Sequence, residues 1–214
     1  MTIVGVSGSP TLNGNTDRIV KAVLEQSGRE HVFVNLSTLR YDPCRGCAHL
    51  CASTNMCPID DDLQPYFELL LKSDAIVLGT SVNGGNITAW MYSFLSRLWC
   101  FRHVTRLLQN KPMLLVACGL FRRSKYRVLP KFIERVGSDN ILGYIYHTTN
   151  IPPCFKCGMG KACRIGGLWE MLDRNEERLK NWVFQEQMFK RWENNPETVA
   201  QVTKYAEMLK KRVG

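Results

Sequence analysis

The sequence predicts an α/β fold: one domain on a five-stranded, doubly wound parallel sheet in the order 2-1-3-4-5, with a helical extension at its C-terminal end. Three observations carry this reading. Short apolar, β-branched runs of strand length alternate with amphipathic stretches of helix length through residues 2–147, the pattern left by right-handed crossovers between parallel strands. At 214 residues, 45% hydrophobic and 22% charged, the chain suits a single domain with a real core. Near Asn150 the alternation stops and prolines, glycines and cysteines take over.

The elements follow in order. Residues 2–6 (Thr-Ile-Val-Gly-Val) read as a buried strand closed by Ser7-Gly8-Ser9-Pro10, and Asn15-Thr16-Asp17 can cap a helix with Ile19, Val20, Val23 and Leu24 on one face. Residues 31–36 form a second strand. A cysteine-rich insert over 42–60 leads to a helix over 61–72 that turns Leu63, Phe67, Leu70 and Leu71 inward. Residues 74–80 are a third strand, followed by a double-glycine loop and a helix over 88–101. Residues 112–118, 125–136 and 141–147 repeat strand, helix, strand. Five strands fit the flavodoxin-like order and not the six-stranded dinucleotide pattern. Residues 1–150 are thus the sheet domain. Residues 151–214 are an appendage of it: a loop with Pro152-Pro153, a polar helical stretch over 168–192, a break at Pro196 and an amphipathic helix over 197–212. Trp169, Trp182, Phe184, Phe189 and Trp192 are expected as core or subunit contacts.

No apolar run approaches the roughly 18–20 residues of a membrane span, and residues 1–6 lack the basic start and apolar middle of an export signal. The expectation is a cytoplasmic protein without membrane contact. In a reducing compartment nine cysteines read as metal ligands or redox groups before disulfides. A net charge of +9 favours anionic partners, either a phosphate-bearing cofactor or an acidic redox protein, with nucleic acid the least expected.

Between the first strand and first helix, Ser7-Gly8-Ser9-Pro10-Thr11-Leu12-Asn13-Gly14-Asn15-Thr16 places glycines at 8 and 14 and donors at Ser7, Ser9, Asn15 and Thr16 where a helix dipole favours an anion. A plain turn with a helix cap explains the same residues. No Gly-Lys-Ser/Thr follows, so this is not a nucleotide-hydrolysing P-loop. The run Gly8-Ser9-Pro10 with Gly14-Asn15-Thr16 resembles the flavin-phosphate loop of the iron–sulfur flavoprotein and NADPH-dependent FMN reductase families, over most of residues 1–150. Where those families usually place an arginine after the proline, this chain has Thr11. The resemblance implies FMN, held by Ser7, Ser9, Pro10, Gly14, Asn15 and Thr16. It also implies a ring-contact loop after the third strand, Ser81, Val82, Asn83, Gly84, Gly85 and Asn86. In those families that loop begins Ser-Pro-x-Tyr; here the double glycine permits close approach to a flat ring, and Asn83 or Asn86 could replace stacking by hydrogen bonding. A turn before a capped helix is the alternative. Arg97 matches an arginine near the end of the families' next helix.

Cys44, Cys47, Cys51 and Cys57 form C-x2-C-x3-C-x5-C just before Asp60-Asp61-Asp62. Four soft ligands within fourteen positions can wrap one metal centre. The iron–sulfur flavoproteins carry a compact four-cysteine motif at the matching place, spaced C-x2-C-x2-C at its start, so the resemblance implies a [4Fe–4S] cluster on these four. Structural zinc and free thiols are the rivals. A second group, Cys154, Cys157 and Cys163, gives C-x2-C-x5-C and lacks a fourth ligand. Cys118, Cys100, His147, His103 or water could supply it, or the loop could hold no metal. The loop after the fourth strand carries Arg122, Arg123 and Lys125, which either grip an anion or form a solvated patch.

No acid–base pair or nucleophile triad stands out, which leaves hydrolysis without support. The reading is an oxidoreductase that moves electrons through FMN and a cluster between a reduced donor, NAD(P)H or a redox protein such as a ferredoxin, and an acceptor. The resemblance further implies a homodimer or homotetramer. The alternatives are a cluster-free NAD(P)H-dependent FMN or quinone reductase and, from another class, a zinc-stapled flavodoxin-like binding module.

Overall fold

A computed structural model describes residues 1–83, 85–119, 137–152 and 154–213. The expected helix over 125–136, the basic residues Arg122, Arg123 and Lys125, and Gly84 of the ring-contact loop lie outside the described residues.

The described strands are β1 (Thr2–Ser7), β2 (Glu30–Asn35), β3 (Ala75–Asn83), β4 (Asn86–Ile87), β5 (Met113–Gly119) and β6 (Ile141–Thr148). Five run parallel in the order β2-β1-β3-β5-β6, the expected order 2-1-3-4-5. The two-residue β4 was not expected. It folds antiparallel onto the end of β3 through Val82–Ile87 and Asn83–Asn86, and so carries β3 three residues past its expected end at Thr80.

Among the described residues the helices are α1 (Asn15–Gln26), α2 (Ala48–Cys51), α3 (Gln64–Lys72), α4 (Ala89–Arg97), α5 (Cys154–Cys157), α6 (Gly167–Met171), α7 (Glu176–Asn181) and α8 (Pro196–Arg212). Their ends have local causes. Thr88 caps α4 by accepting from the Met91 N–H, and after Arg97 the helix tightens into a 3-10 turn over Leu98–Arg102. Asn195 accepts from the Thr198 N–H and Pro196 opens α8. The expected single helical stretch over 168–192 is instead α6, α7 and two 3-10 turns, Glu186–Met188 and Trp192–Asn194. Asp173 and Arg174 both adopt the left-handed conformation (φ 57°), which an α-helix cannot continue through, and Asn175 restarts the chain as the cap of α7.

Strand alternation sorts the core onto two faces of the sheet. Val4, Val6, Ile76, Leu78, Met113 and Leu115 face α3 and α4, packing on Phe67, Leu70, Met91, Phe94 and Leu95. Ile3, Ala75, Val77, Leu114 and Val116 face α1 and α8 through Ile19, Val23, Val202 and Leu209. A third cluster of Leu168, Leu172 and Leu179 stands apart in the C-terminal segment. Among the described residues no helix is long and apolar enough to cross a membrane.

Candidate flavin and thiolate site

In a parallel sheet every strand-to-helix loop emerges at the carboxyl edge, so the loops after β1, β2, β3 and β6 gather there. The loop after β1 is shaped from within by Asp17. Its buried carboxylate accepts from Ser7 Oγ at 2.6 Å, the Asn13 N–H at 2.9 Å and Asn35 Nδ2 at 2.9 and 3.0 Å. Asn13 is thereby held at φ 52°, a left-handed turn that Asn tolerates. Ser9 Oγ takes the Thr11 N–H at 3.2 Å, and Gly14 is the cap position of α1 with no side-chain cap. The first-turn N–H groups of α1 therefore lack the side-chain acceptor that usually covers a helix start, which suits an external anion.

The side chains expected to bind phosphate divide into two groups. Ser7 spends its hydroxyl proton on Asp17. Asn15 turns to the C-terminal segment, its Nδ2 donating to the Lys190 carbonyl at 3.1 Å and its Oδ1 accepting from the Trp192 N–H at 3.2 Å. What these two can offer an anion is their backbone. Pro10 lies exposed at the loop rim, while Ser9 and Thr16 are buried beneath it. On the helix beside the loop, Arg18 donates to the Asn13 carbonyl at 2.7 Å while paired with Glu193 at 2.6 Å, and Lys21 donates to Asn13 Oδ1 at 3.1 Å.

The ring-contact loop is laced to the first. The Gly8 N–H donates to the Gly79 carbonyl at 2.8 Å, and Thr88 Oγ1 donates to the Gly8 carbonyl at 2.6 Å. A Cβ on Gly8 would lie 2.6 Å from Met91 Cβ and 3.0 Å from its backbone nitrogen, so glycine is what lets the first loop rest on α4. Val82, Asn83 and Asn86 form the β3–β4 hairpin and Gly85 its left-handed turn, at φ 78°. Ser81 Oγ is buried without a hydrogen-bond partner. An uncapped helix start beside a glycine-made contact and an orphaned hydroxyl fits a phosphorylated flavin, which would satisfy both ends.

The first cysteine loop packs on α4 through one wholly buried arginine. Arg97 Nε donates to Cys57 Sγ at 3.0 Å. Its other nitrogens reach Asp61 at 2.6 Å, the Asp42 carbonyl at 2.9 Å and the Ile59 carbonyl at 3.3 Å. The Cys44 N–H donates to Ser96 Oγ at 3.0 Å, and Cys51 Sγ lies 3.0 Å from His103 Nε2. Burial, then the neighbouring Cys47 thiol, pushes the Cys51 thiol up. Burial pushes the adjacent Cys100 thiol up to about 12, helped by Cys57 and Cys51. Among the described residues no three Cys, His, Asp or Glu side chains stand grouped so as to hold a metal ion. The donor chemistry nevertheless fits a soft centre: four thiols, two of them facing an arginine or imidazole nitrogen, with Cys44 exposed.

The second cysteine group folds back on itself after β6. Cys154 and Cys163 are half-buried and Cys157 is exposed. The residues expected as a possible fourth ligand are engaged elsewhere: His103 on Cys51, Cys100 beside Cys57, His147 between Thr198 and the Lys190 carbonyl, and Cys118 beside Thr16. Sequence reasoning missed Asp17, Asn35 and Thr88 as the groups that shape and join the loops. Asp17 carries the signal of an ordinary first-turn carboxylate, and only the fold shows it facing inward.

These features agree with the comparisons. A family model described as NADPH-dependent FMN reductase matches residues 1–133. The chain is similar to an iron–sulfur flavoprotein of Methanocaldococcus jannaschii, 33% identical over 100 residues that cover 45% of this chain and 51% of that one. It is likewise similar to an iron–sulfur flavoprotein of Methanosarcina thermophila, 32% identical over 114 residues, 52% of this chain and 59% of that one. The chain thus spans about half the length of these curated relatives. Among solved structures, an apo NADH:FMN oxidoreductase superposes with a TM-score of 0.57 at 12% identity, covering 98% of this chain and 88% of that one, a likeness of fold. With the match running through β1, the phosphate loop, the first cysteine loop and β5, the chain belongs to the NADPH-dependent FMN reductase family.

Proposed function

We propose that the protein is a flavin-dependent oxidoreductase that holds FMN at the α1 start and a [4Fe–4S] cluster on Cys44, Cys47, Cys51 and Cys57, and moves electrons between a reduced donor and an acceptor. The observation that carries this reading is the lacing of the two flavin loops to α4 by Gly8, Thr88 and Met91, with the four-thiol loop clamped to the other end of the same helix by Arg97. When bound, the flavin supplies transfer of electrons singly or in pairs and the cluster supplies single transfers. The chain's own residues supply position and field. The first-turn amides of α1 with Arg18 and Lys21 hold the phosphate. Ser81, Val82, Asn83, Gly85 and Asn86 line the ring. Arg97 donates an N–H to the Cys57 sulfur, and the His103 ring nitrogen faces the Cys51 sulfur.

The donor is NAD(P)H or an acidic redox protein of the ferredoxin kind, in keeping with the net charge of +9. We read the assembly as a homodimer or homotetramer in a reducing cytoplasm. A cluster-free NAD(P)H-dependent FMN or quinone reductase is the second reading, favoured by the absence of a pre-grouped metal site among the described residues. Anaerobic purification with analysis of flavin, iron, sulfide and zinc separates the two. The first reading expects about one FMN with iron and acid-labile sulfide, and Cys47→Ala keeps FMN but loses both inorganic components. FMN without iron establishes the second. A chain that takes up no FMN from excess rules out both.

A further inference from the structure

The C-terminal segment 154–182 is too lightly built to hold itself. Its helices α5, α6 and α7 have 4, 5 and 6 residues, below the length at which isolated helices persist. Their shared core is Leu168, Leu172 and Leu179, with Cys154, Trp169, Met171 and Trp182 against it. Units of this size usually need a disulfide, a metal or a partner to stay folded.

The same segment brings sulfur together. A Cβ added to Gly166 would meet Cys163 Sγ at 3.0 Å and Cys154 Sγ at 3.3 Å, so the two sulfurs lie side by side over that glycine. Gly166 has an ordinary negative φ of −81°, and glycine is therefore needed there for space. On Gly167 a Cβ would lie 3.9 Å from Cys154 Sγ. Cys157 Sγ sits one turn away, donating to the Cys154 carbonyl at 3.0 Å, a weak bond. The loop between is tied by the Cys163 N–H to the Met159 carbonyl at 3.0 Å. Arg164 closes it, bonded to the Lys161 carbonyl and to Glu176 at the start of α7.

We propose that Cys154, Cys157 and Cys163, which do not stand grouped around one point, are drawn together as a second metal site by one thiophilic divalent ion of the zinc type, with solvent in the fourth position, and that this ion staples the segment 154–182. Each ligating thiol loses its proton to solvent, up to three per ion, and no electron moves. The site is independent of the flavin and of the four-cysteine loop.

The test titrates Co2+, as a coloured stand-in for Zn2+, into the reduced, metal-free 214-residue chain under anaerobic conditions. Sulfur-to-cobalt absorption should report one more equivalent in the wild type than in Cys154→Ser or Cys163→Ser, whereas Cys47→Ala should keep that equivalent. Gly166→Ala leaves every thiol in place and should weaken Co2+ and Zn2+ binding at this site by at least tenfold. Zn2+ should also slow amide exchange over 154–182 and change Trp169 and Trp182 fluorescence. Circular dichroism and FMN uptake, which rest on other cores, verify that the variants are folded. Equal metal content in the wild type, Cys154→Ser and Cys163→Ser overturns the site, as does unchanged affinity in Gly166→Ala. A Cys154–Cys163 disulfide in the isolated chain, with no metal taken up after reduction, overturns it in favour of a dithiol.

Discussion

Asp17 and Arg97 are the two residues on which the site's shape turns, and both are buried polar groups whose partners come from other elements. Asp17→Ala would strand the Ser7 hydroxyl, the Asn13 N–H and the Asn35 amide. At about 1–3 kcal/mol for each buried donor left unsatisfied, and with water able to reach the loop side, the expected loss is about 3 kcal/mol in urea unfolding. FMN titration should show at least tenfold weaker binding, because the phosphate loop loses its internal support. Arg97→Met breaks a buried ion pair and should cost about 3–5 kcal/mol. The pair also sets an acid limit. Burial pushes the Asp61 carboxyl up, but the Arg97 hydrogen bond, the Asp42 and Leu63 N–H groups and the Arg97 charge outweigh it and hold the carboxyl below its ordinary 3.8. A depressed folded pKa gives stability that is complete above the unfolded value and is lost as pH falls through the folded one. Wild type should therefore lose stability relative to Asp61→Asn below about pH 4, with parallel curves at neutral pH. Parallel curves down to pH 2 would contradict it. At this scale the sequence shows residue types but not facing: nothing in Asn15-Thr16-Asp17 says that Asn15 points to Lys190 and Asp17 to Ser7.

At the level of elements the sequence is most legible where a pattern is long. The strands β1, β3 and β5 fall within a few residues of expectation because buried strands are continuous apolar runs, and α8 does so because 17 residues of amphipathic periodicity begin at Pro196. Legibility fails where a few polar residues decide. The β4 hairpin depends on the left-handed Gly85, and the break between α6 and α7 on Asp173 and Arg174, whose types are compatible with helix. The junction of the first loop with α4 gives the sharpest element-level prediction. Gly8→Ala places a methyl 2.6 Å from Met91 Cβ and 3.1 Å from its Cα, and since the obstacle is helix backbone, no rotamer change relieves it. The variant should lose about 1–3 kcal/mol by overpacking. It should also lose FMN affinity, since α4 and the phosphate loop must separate. Gly28→Ala is the control: its Cβ meets nothing within 4 Å, so any cost there comes from its φ of 64° and should leave FMN affinity unchanged.

The molecule as a whole is two large cores on either face of one sheet, with a small third cluster beyond β6. This division implies unequal local stability. Amides in β1, β3 and β5 are flanked by parallel neighbours and covered by both large cores, so their exchange requires global unfolding. Amides over 154–182 are covered by three leucines and their neighbours and open with little loss of buried surface. Native-state hydrogen exchange in metal-free protein should therefore find this segment exchanging through openings several kcal/mol below the global value. FMN, bound only by the folded sheet domain, should raise protection there by about 2.7 kcal/mol at one hundred times its Kd, and leave 154–182 unchanged. Zinc should do the reverse, raising protection in 154–182 and hardly altering β1. If FMN and zinc instead raise both regions together, the three cores unfold as one unit. The C-terminal segment would then be an integral layer of the sheet domain, and its thiols would not be needed to hold it.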